Sequence, residues 1–539
     1  MANKLVRGSF IIFLGNIIFR LGGYVYRFLM ASLLGPSMYG VLGLTLPFQG
    51  IFQTLSAGGL PPAIAKYVAE YNATNQSDMA RQTIYTALKI MIFLGLFFGF
   101  IMVFFAAPWL AEVYLQKPIA TVPLQIVGLI TPFSVIVGAF RGAFQGVYKM
   151  EYILYTRAIE QLGMILFATA FVLMGFQAIG ALWGTVLGFA TSVVMAVYLF
   201  KNHMGKLLPP ASEGFEFSLK SELKLAAILL KFAVPVIITA VAEMLIYNVC
   251  TLVMGRFLTT SDVGIFAAAD PIARLPLIIS TSIATTILPA ASEAFAMHSR
   301  TTLSKYVLLS YRFSLLFVVP MCVFIAFFSG TVLEILYFTN PAYSAGAIAL
   351  SILAIGMTFY SLFSISTSIV QGIGNPRIPM YILVAGTILN LFLNWYLVPI
   401  MGIEGGALAT TVACFAMMIP IMILVFKLTE TKAPMGSILK IFVASFIMAV
   451  VTFFIPQNPL GLVLGIIVCP IVYLFFLSLL KFFSKDDIDH FRGYSSKFGP
   501  LSSLFNKLLN VIERIEFRND WLKDYLNNKN IFFIIVFWQ

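Results

Sequence analysis

Apolar runs of about 20 residues follow one another with only short gaps from residue 8 to residue 481, and that succession limits the architecture before any motif is weighed. Coiled into an α-helix, a run of this length crosses the roughly 30 Å hydrocarbon core of a bilayer. Inside hydrocarbon every backbone N–H and C=O must find a partner within the protein, so only helices and closed barrels can span. Strand-like alternation over about 10 residues does not recur, which argues against a barrel. About fourteen runs can be placed, near 8–34, 41–65, 83–106, 119–143, 155–175, 178–200, 227–254, 263–290, 306–329, 346–371, 378–400, 404–426, 437–455 and 459–481. The residue balance agrees, with 60% hydrophobic and 10% charged side chains, where a soluble domain would carry about 25% charged. The chain is therefore read as an all-α polytopic membrane protein.

Basic residues between the runs set the orientation. Lys4, Arg7, Lys66, Arg81, Lys149, Lys201, Lys206, Lys220, Lys224, Arg300, Lys305, Arg377, Lys427 and Lys432 fall on one side, whereas the opposite loops hold little beyond Lys117 and Arg256. The positive-inside rule then predicts a multi-pass protein of the cytoplasmic membrane with both termini in the cytoplasm. The first run lacks a small-residue cleavage site and is read as a retained helix. The net charge of +12 reflects this bias and a basic tail; no basic face is interleaved with exposed aromatics, so nucleic acid is not an expected partner. Cys250, Cys322, Cys414 and Cys469 lie inside apolar runs with no CxxC or Cys/His cluster, which predicts neither disulfides nor a metal site. No GxxxxGK[ST] occurs, so ATP hydrolysis is not expected of this chain, and no cofactor is predicted.

An internal repeat divides the runs. YGVLGLTLPFQGIFQ from Tyr39 answers VGIFAAADPIARLPL from Val263, matching Gly40 to Gly264 and Pro47 to Pro271. FQGVYKMEYI from Phe144 answers VQGIGNPRIP from Val370, and IGALWGTVLGF from Ile179 answers GGALATTVACF from Gly405. All hold one offset of about 225 residues, the mark of a duplicated unit. Each unit has an even number of spans, so the copies share one orientation about an axis along the membrane normal. The expected fold is two pseudo-symmetric six-helix bundles around a central cleft, residues 1–200 and 227–427, joined by a cytoplasmic linker over 201–226. Two extra helices over 428–482 follow, and then a cytoplasmic tail over 483–539. Leucines and isoleucines at helical spacing from Gly499 suggest that the tail is an amphipathic helix on the inner leaflet or a partner-docking helix. Two bundles about a cleft describe an alternating-access carrier.

Charged and polar residues inside the runs mark the cleft. Asn16, Arg20, Gly23 and Arg27 are spaced four, three and four apart, so both guanidinium groups leave one helix face. An arginine in hydrocarbon costs about 2.5–3.5 kcal/mol even on mild insertion scales, so that face must border protein or water. The repeat sets Arg20 near the equivalent of Glu243, either as a pair across the cleft or as two separate ties within the bundles. Asp270 and Arg274 sit four apart in the eighth run between Pro271 and Pro276 and can neutralise each other on one helix face. Glu243 and Asp270 are candidates for gating or for coupling to H+ or Na+, with static salt bridges as the competing reading. Arg274 is a candidate head-group contact on the geometry of the cleft alone. Gln49 with Gln53, and Asn390 with Asn394, form same-face polar pairs that line the cavity or glue helices together. Arg141 and Glu160, near span ends, are expected to snorkel to the interface.

These residues also carry a resemblance. FRLGGYVYRFLMASLLGPSMYGVLGL from Phe19, GGLPPAIAKYVAEY from Gly58, RGAFQG from Arg141, VGIFAAADPIARLPLIISTSIATTILPAASEAFA from Val263 and MGIEGGALATT from Met401 together resemble the multidrug/oligosaccharidyl-lipid/polysaccharide exporter superfamily. Within it they are similar to the polysaccharide-flippase branch that includes sporulation-type and lipid II flippases. The resemblance implies a flippase, not an enzyme, that moves a polyprenyl-pyrophosphate-linked glycan from the cytoplasmic to the outer leaflet, with polysaccharide polymerases or glycosyltransferases as partners. It also implies a head-group role for Arg20 and Arg27, which match the paired first-helix arginines of such flippases. A cation-coupled multidrug antiporter of the same superfamily would ordinarily favour acidic groups over arginines in its first bundle. A membrane glycosyltransferase or polymerase would be expected to offer carboxylates or a metal motif in a sizeable outer loop, whereas the longest, around 329–346, carries Glu334 alone.

Overall fold

The computed structural model describes residues 2–204 and 218–484, together with Ile488, Arg492, Asn506, Leu509, Asn510 and Glu513. For residues 2–20 the backbone alone is described. Most of the tail on which the amphipathic-helix expectation rests lies outside the described residues.

Glycine breaks divide the long apolar stretches into separate crossings. Helix α1 (Ala2–Ala57) has 56 residues, which as one straight rod would run about 84 Å, far beyond a bilayer. Its path turns at Gly35, with φ 67 and ψ 171, a left-handed conformation that glycine adopts without a Cβ penalty. Pro36 follows and cannot donate into the preceding turn. The 53-residue helix α13 (Arg377–Thr429) breaks in the same way at Gly402, and Gly175 separates α5 (Met150–Phe171) from α6 (Gln177–His203). The remaining helices are α2 (Leu60–Ala73), α3 (Ser77–Ile101), α4 (Thr121–Gly146), α7 (Leu219–Phe257), α8 (Thr260–Ala273), α9 (Leu277–Ala296), α10 (Arg300–Phe327), α11 (Ser329–Leu336), α12 (Ala347–Gly372), α14 (Met435–Phe453) and α15 (Pro459–Leu479).

Two expected spans are interrupted. The run over 41–65 breaks at Gly58 and Gly59, both at positive φ, before α2 begins. The run over 263–290 ends as α8 at Ala273, and residues 274–276 form a turn before α9. Arg274 thus lies in the turn, one residue past the end of α8. Pro276, which has no N–H to offer a continuing helix, explains the break.

By packing, the chain forms two compact units, the first of Met1–Ile272, Leu333–Leu353 and Arg377–Met417, the second of Ala273–Val332, Ala354–Pro376 and Met418–Gln539. In the first, α2, α3, α4, α6 and the opening turns of α7 share a core that includes Ile64, Ile84, Met91, Phe144, Leu199 and Leu229. A Lys89–Glu222 ion pair at 2.7 Å ties α3 to the start of α7. In the second, α10 packs against α9, α14 and α15. Hydroxyls hold these helices together: Tyr311 Oη lies 2.6 Å from Ser366 Oγ, Ser314 Oγ 2.9 Å from Ser361 Oγ, and Tyr473 donates to the Leu316 carbonyl at 2.9 Å. Such bonds, with close packing, are what joins helices where no hydrophobic effect acts between them. Outward faces are apolar: on α3, Phe93, Leu96, Phe97 and Phe100 are exposed, as a hydrocarbon-facing surface requires.

Candidate functional site

In the first unit, Arg27 sits about two turns before the Gly35 break in α1, beside a buried aromatic cluster. The cluster is built by the short segment between α11 and α12, which delivers Tyr337 and Tyr343. Tyr337 Oη donates to the Ala268 carbonyl of α8 at 3.1 Å, and Tyr343 Oη to the Ala31 carbonyl of α1 at 2.8 Å. Their rings lie 4.6 Å apart, Phe28 stands edge-on to Tyr337 at 5.9 Å, and Tyr39 edge-on to Tyr343 at 6.4 Å. Thr339 adds a bond to the Ser32 carbonyl at 3.3 Å. Burial lifts the Tyr337 phenol well above its ordinary range, the Tyr39 and Tyr343 phenols reinforce this, and the Arg27 charge acts against it. Arg27 and Asp270 both act electrostatically on Tyr39. Tyr343→Phe leaves the buried Ala31 carbonyl without that donor, and an apparent stability loss of about 1–3 kcal/mol is expected in thermal unfolding.

Beyond the aromatic wall, at the Gly35 end, α1 and α8 touch backbone to backbone. A Cβ added to Gly40 would lie 1.7 Å from the Thr260 carbonyl oxygen, and one added to Gly264 would lie 1.9 Å from the Pro36 carbonyl oxygen. Ser37 Oγ and Thr260 Oγ1 are 3.3 Å apart at the same crossing. Nearby, Lys117 donates to the Gly255 carbonyl in the last turn of α7 and to the Leu115 carbonyl at 3.3 Å, where a cation also complements the helix dipole. Arg256 donates to Gln116 Oε1 at 2.6 Å, and Tyr114 to the Leu252 carbonyl at 3.3 Å. Burial, and then the Arg256 charge, pull the Lys117 pKa below its ordinary value. The Gly35 end of this unit is thereby closed.

The other predicted residues fall as follows. Arg20 and Asn16 lie on the α1 backbone, and their side chains fall outside the described residues. Glu243 is exposed on α7, while its neighbour Met244 packs against Gly50 and accepts from Thr54 Oγ1 at 3.8 Å. Gln49 is half-buried, and Gln53 Nε2 is buried without a hydrogen-bond partner among the described residues. Asn390 and Asn394 are buried on α13, with Asn394 Nδ2 donating to the Asn390 carbonyl at 2.8 Å and to Asn390 Oδ1 at 2.7 Å. Arg274 belongs to the second unit.

Arg141 and Glu160 do not snorkel. Arg141 Nη2 meets Glu160 Oε2 at 2.7 Å, its Nε donates to Thr156 Oγ1 at 3.1 Å, and Nη2 also reaches Ser192 Oγ at 3.3 Å. Glu160 is 5% exposed. Two opposite charges and two hydroxyls on α4, α5 and α6 satisfy one another, which makes burial tolerable where each alone would have to reach water. The tyrosines were overlooked in the sequence because they stand in a connection read as an outer loop; the signal available was two tyrosines flanking the Asn340–Pro341 turn.

The model of the family described as "Polysaccharide biosynthesis protein" matches residues 5–295, and the MatE model matches residues 235–396. An uncharacterised membrane protein, MJ1375 of Methanocaldococcus jannaschii, is 26% identical over 420 residues, covering 76% of this chain and 95% of that protein. Lipid II flippase MurJ of Bacillus subtilis is 24% identical over 444 residues, covering 77% of this chain and 81% of that protein. A solved structure of lipid II flippase MurJ in an inward closed conformation superposes with a TM-score of 0.71 at 18% identity, covering 88% of this chain and 98% of that one.

Proposed function

This chain belongs to the polysaccharide biosynthesis protein family, and from that membership together with the Arg27 site we propose that it is a flippase carrying a polyprenyl-pyrophosphate-linked oligosaccharide from the cytoplasmic to the outer leaflet by alternating access. The observation that carries the reading is Arg27, a permanent cation within the helical bundle that forms no ion pair among the described residues. A guanidinium is shaped to hold phosphate oxygens with two parallel bonds. Moving the cargo requires no covalent chemistry. Its barrier is desolvation of a charged head group in hydrocarbon, which a hydrated cavity with fixed cations lowers.

In this reading Arg20 and Arg27 hold the pyrophosphate, and Asn16, Gln49, Gln53, Asn390 and Asn394 offer polar contacts. Glu243 and Asp270 exchange H+ or Na+ between conformations, and glycan polymerases or transferases act before and after transport. With both termini in the cytoplasm, the closed Gly35 end faces outward, and the cargo loads from the cytoplasmic side. The match of the MatE model to residues 235–396 supports a second reading, a cation-coupled multidrug antiporter.

The test is complementation in cells lacking their own polysaccharide flippase, with variants matched for membrane abundance. Arg27→Ala removes charge-assisted hydrogen bonds of about 1.5–3 kcal/mol, so surface polysaccharide export is expected to fall by about 10- to 100-fold. The lipid-linked intermediate should accumulate on the cytoplasmic leaflet, and Arg27→Lys should retain part of the activity. Equal export by wild type and Arg27→Ala would end the head-group assignment, and drug efflux unaccompanied by glycan export would favour the antiporter.

A further inference from the structure

Helix α1 carries two glycines in succession, Gly22 and Gly23, about one turn before Arg27. Glycine inside a helix is less stable than alanine, so each position calls for a reason. Packing supplies one at Gly22. A Cβ there would lie 2.5 Å from Cγ of Gln161 on α5, a side chain that is buried. Packing supplies none at Gly23, where an added Cβ would meet no atom of the described residues within 4 Å.

The surroundings of α1 show where that open side points. Residues four apart on a helix share a face, so residues 21–28 divide into four pairs. Leu21 and Val25 are 59% and 53% exposed and make an apolar outward face. Gly22 and Tyr26 face the neighbouring helices, Gly22 at Gln161 and Tyr26 donating to the Ala181 carbonyl of α6 at 3.3 Å. Tyr24 and Phe28 stack with ring centroids 6.2 Å apart, and Phe28 continues to Tyr337 in the aromatic wall. The remaining pair is Gly23 with Arg27, nearly opposite the Leu21–Val25 face. An arginine face cannot look into hydrocarbon, so the bare backbone at Gly23 opens on the side that the guanidinium serves. Long side chains on a helix lean back over the preceding turn, yet no atom of Arg27 comes within 4 Å of the added Cβ. A gap is left beside the arginine.

We propose that Gly23 is a specificity-determining residue of the Arg27 site, its missing side chain letting the diphosphate of the cargo lie against α1 beside the guanidinium. The inference rests on the head-group reading of Arg27. Phosphate oxygens gain most from a guanidinium when they meet two parallel N–H donors at bonding distance, and glycine is the residue that lets a ligand come close to backbone. A side chain at position 23 would stand one turn from Arg27, with Cβ atoms about 5–6 Å apart, in the space those oxygens must enter.

The full-length protein, purified in a neutral detergent, would be titrated with a long-chain polyprenyl pyrophosphate. Binding would be followed by native mass spectrometry, and thermal unfolding would be recorded without the ligand, in wild type, Gly23→Ala, Gly23→Leu and Arg27→Ala. Gly23→Leu is expected to weaken binding about tenfold, as for the loss of one charge-assisted hydrogen bond, and Gly23→Ala to weaken it less. With no described neighbour to displace, Gly23→Ala is expected to unfold at the wild-type temperature or slightly above it, which keeps the test valid even where leucine disturbs folding. Wild-type affinity in both Gly23 variants, beside weakened binding by Arg27→Ala, would overturn this inference and leave the head-group reading standing. A lowered unfolding temperature in Gly23→Ala would do the same, since it marks a glycine required by packing. Failure of the wild type to bind, or wild-type affinity in Arg27→Ala, would overturn the head-group reading and this inference with it.

Discussion

Gly40→Ala and Gly264→Ala are each expected to destabilise the protein by about 1–3 kcal/mol, with the double variant costing clearly less than their sum. A new Cβ at either position would overlap backbone carbonyl oxygens, at 1.7 Å from Thr260 and 1.9 Å from Pro36. Backbone cannot rotate away as a flexible side chain can, so α1 and α8 must part. Once one methyl group has opened the crossing, the second enters a gap that already exists. Non-additivity is the signature of this shared contact, and two unrelated overpacked sites would add. The same parting should be visible chemically: in a Ser37→Cys/Thr260→Cys background, placed where the native hydroxyls are 3.3 Å apart, oxidative cross-linking is expected to fall when Gly40→Ala is added. Unchanged cross-linking with additive stability losses would mean that the contact between α1 and α8 does not hold this end closed.

That contact also shows what kind of information a sequence of this type carries. Matching Gly40 to Gly264 needed only the repeated order of residues, because a duplicated unit repeats its glycines and prolines. The approach of the two glycines is a contact between α1 and α8, far apart in the chain, and the order of residues does not contain it. The apolar runs were legible for the same reason, since hydrocarbon demands length and hydrophobicity from each span separately. Interruptions at Gly58–Gly59 and at residues 274–276 were less visible, because hydropathy does not register a break of two or three residues inside an apolar run. Polar residues were legible as being inside the membrane but not by partner. Arg141 and Glu160 read like end-of-span charges, and only the packing of α4 against α5 and α6 brings them together with Thr156 and Ser192. Tyr337 and Tyr343 lay outside every predicted span, and their place beside Arg27 depends on a contact across about 300 residues of chain, such as that from Tyr343 to Ala31.

Glu160→Ala is expected to remove most of the protein from the membrane fraction. Losing one partner of a buried pair leaves the other charge uncompensated and costs about 3–5 kcal/mol, a large share of the roughly 5–15 kcal/mol that holds an ordinary domain together. Arg141 then keeps only the Thr156 and Ser192 hydroxyls, which are 3.1 and 3.3 Å away and carry no opposing charge. Arg141→Ala should do less damage, because the Arg157 cation still acts on the Glu160 carboxylate, which is 5% exposed. The double variant Arg141→Met/Glu160→Leu removes both charges while keeping most of the volume, and apolar replacement of a whole buried pair is often neutral. Its abundance should therefore recover toward wild type. Quantitative immunoblotting of membranes measures the abundances, and glycan export in the same cells separates the two possible roles of the pair. Recovery of both abundance and export makes the pair a structural tie between α4 and α5. A double variant that accumulates normally but exports nothing would instead make it part of the transport cycle, since a tie replaced by packing of equal volume has no reason to stop transport.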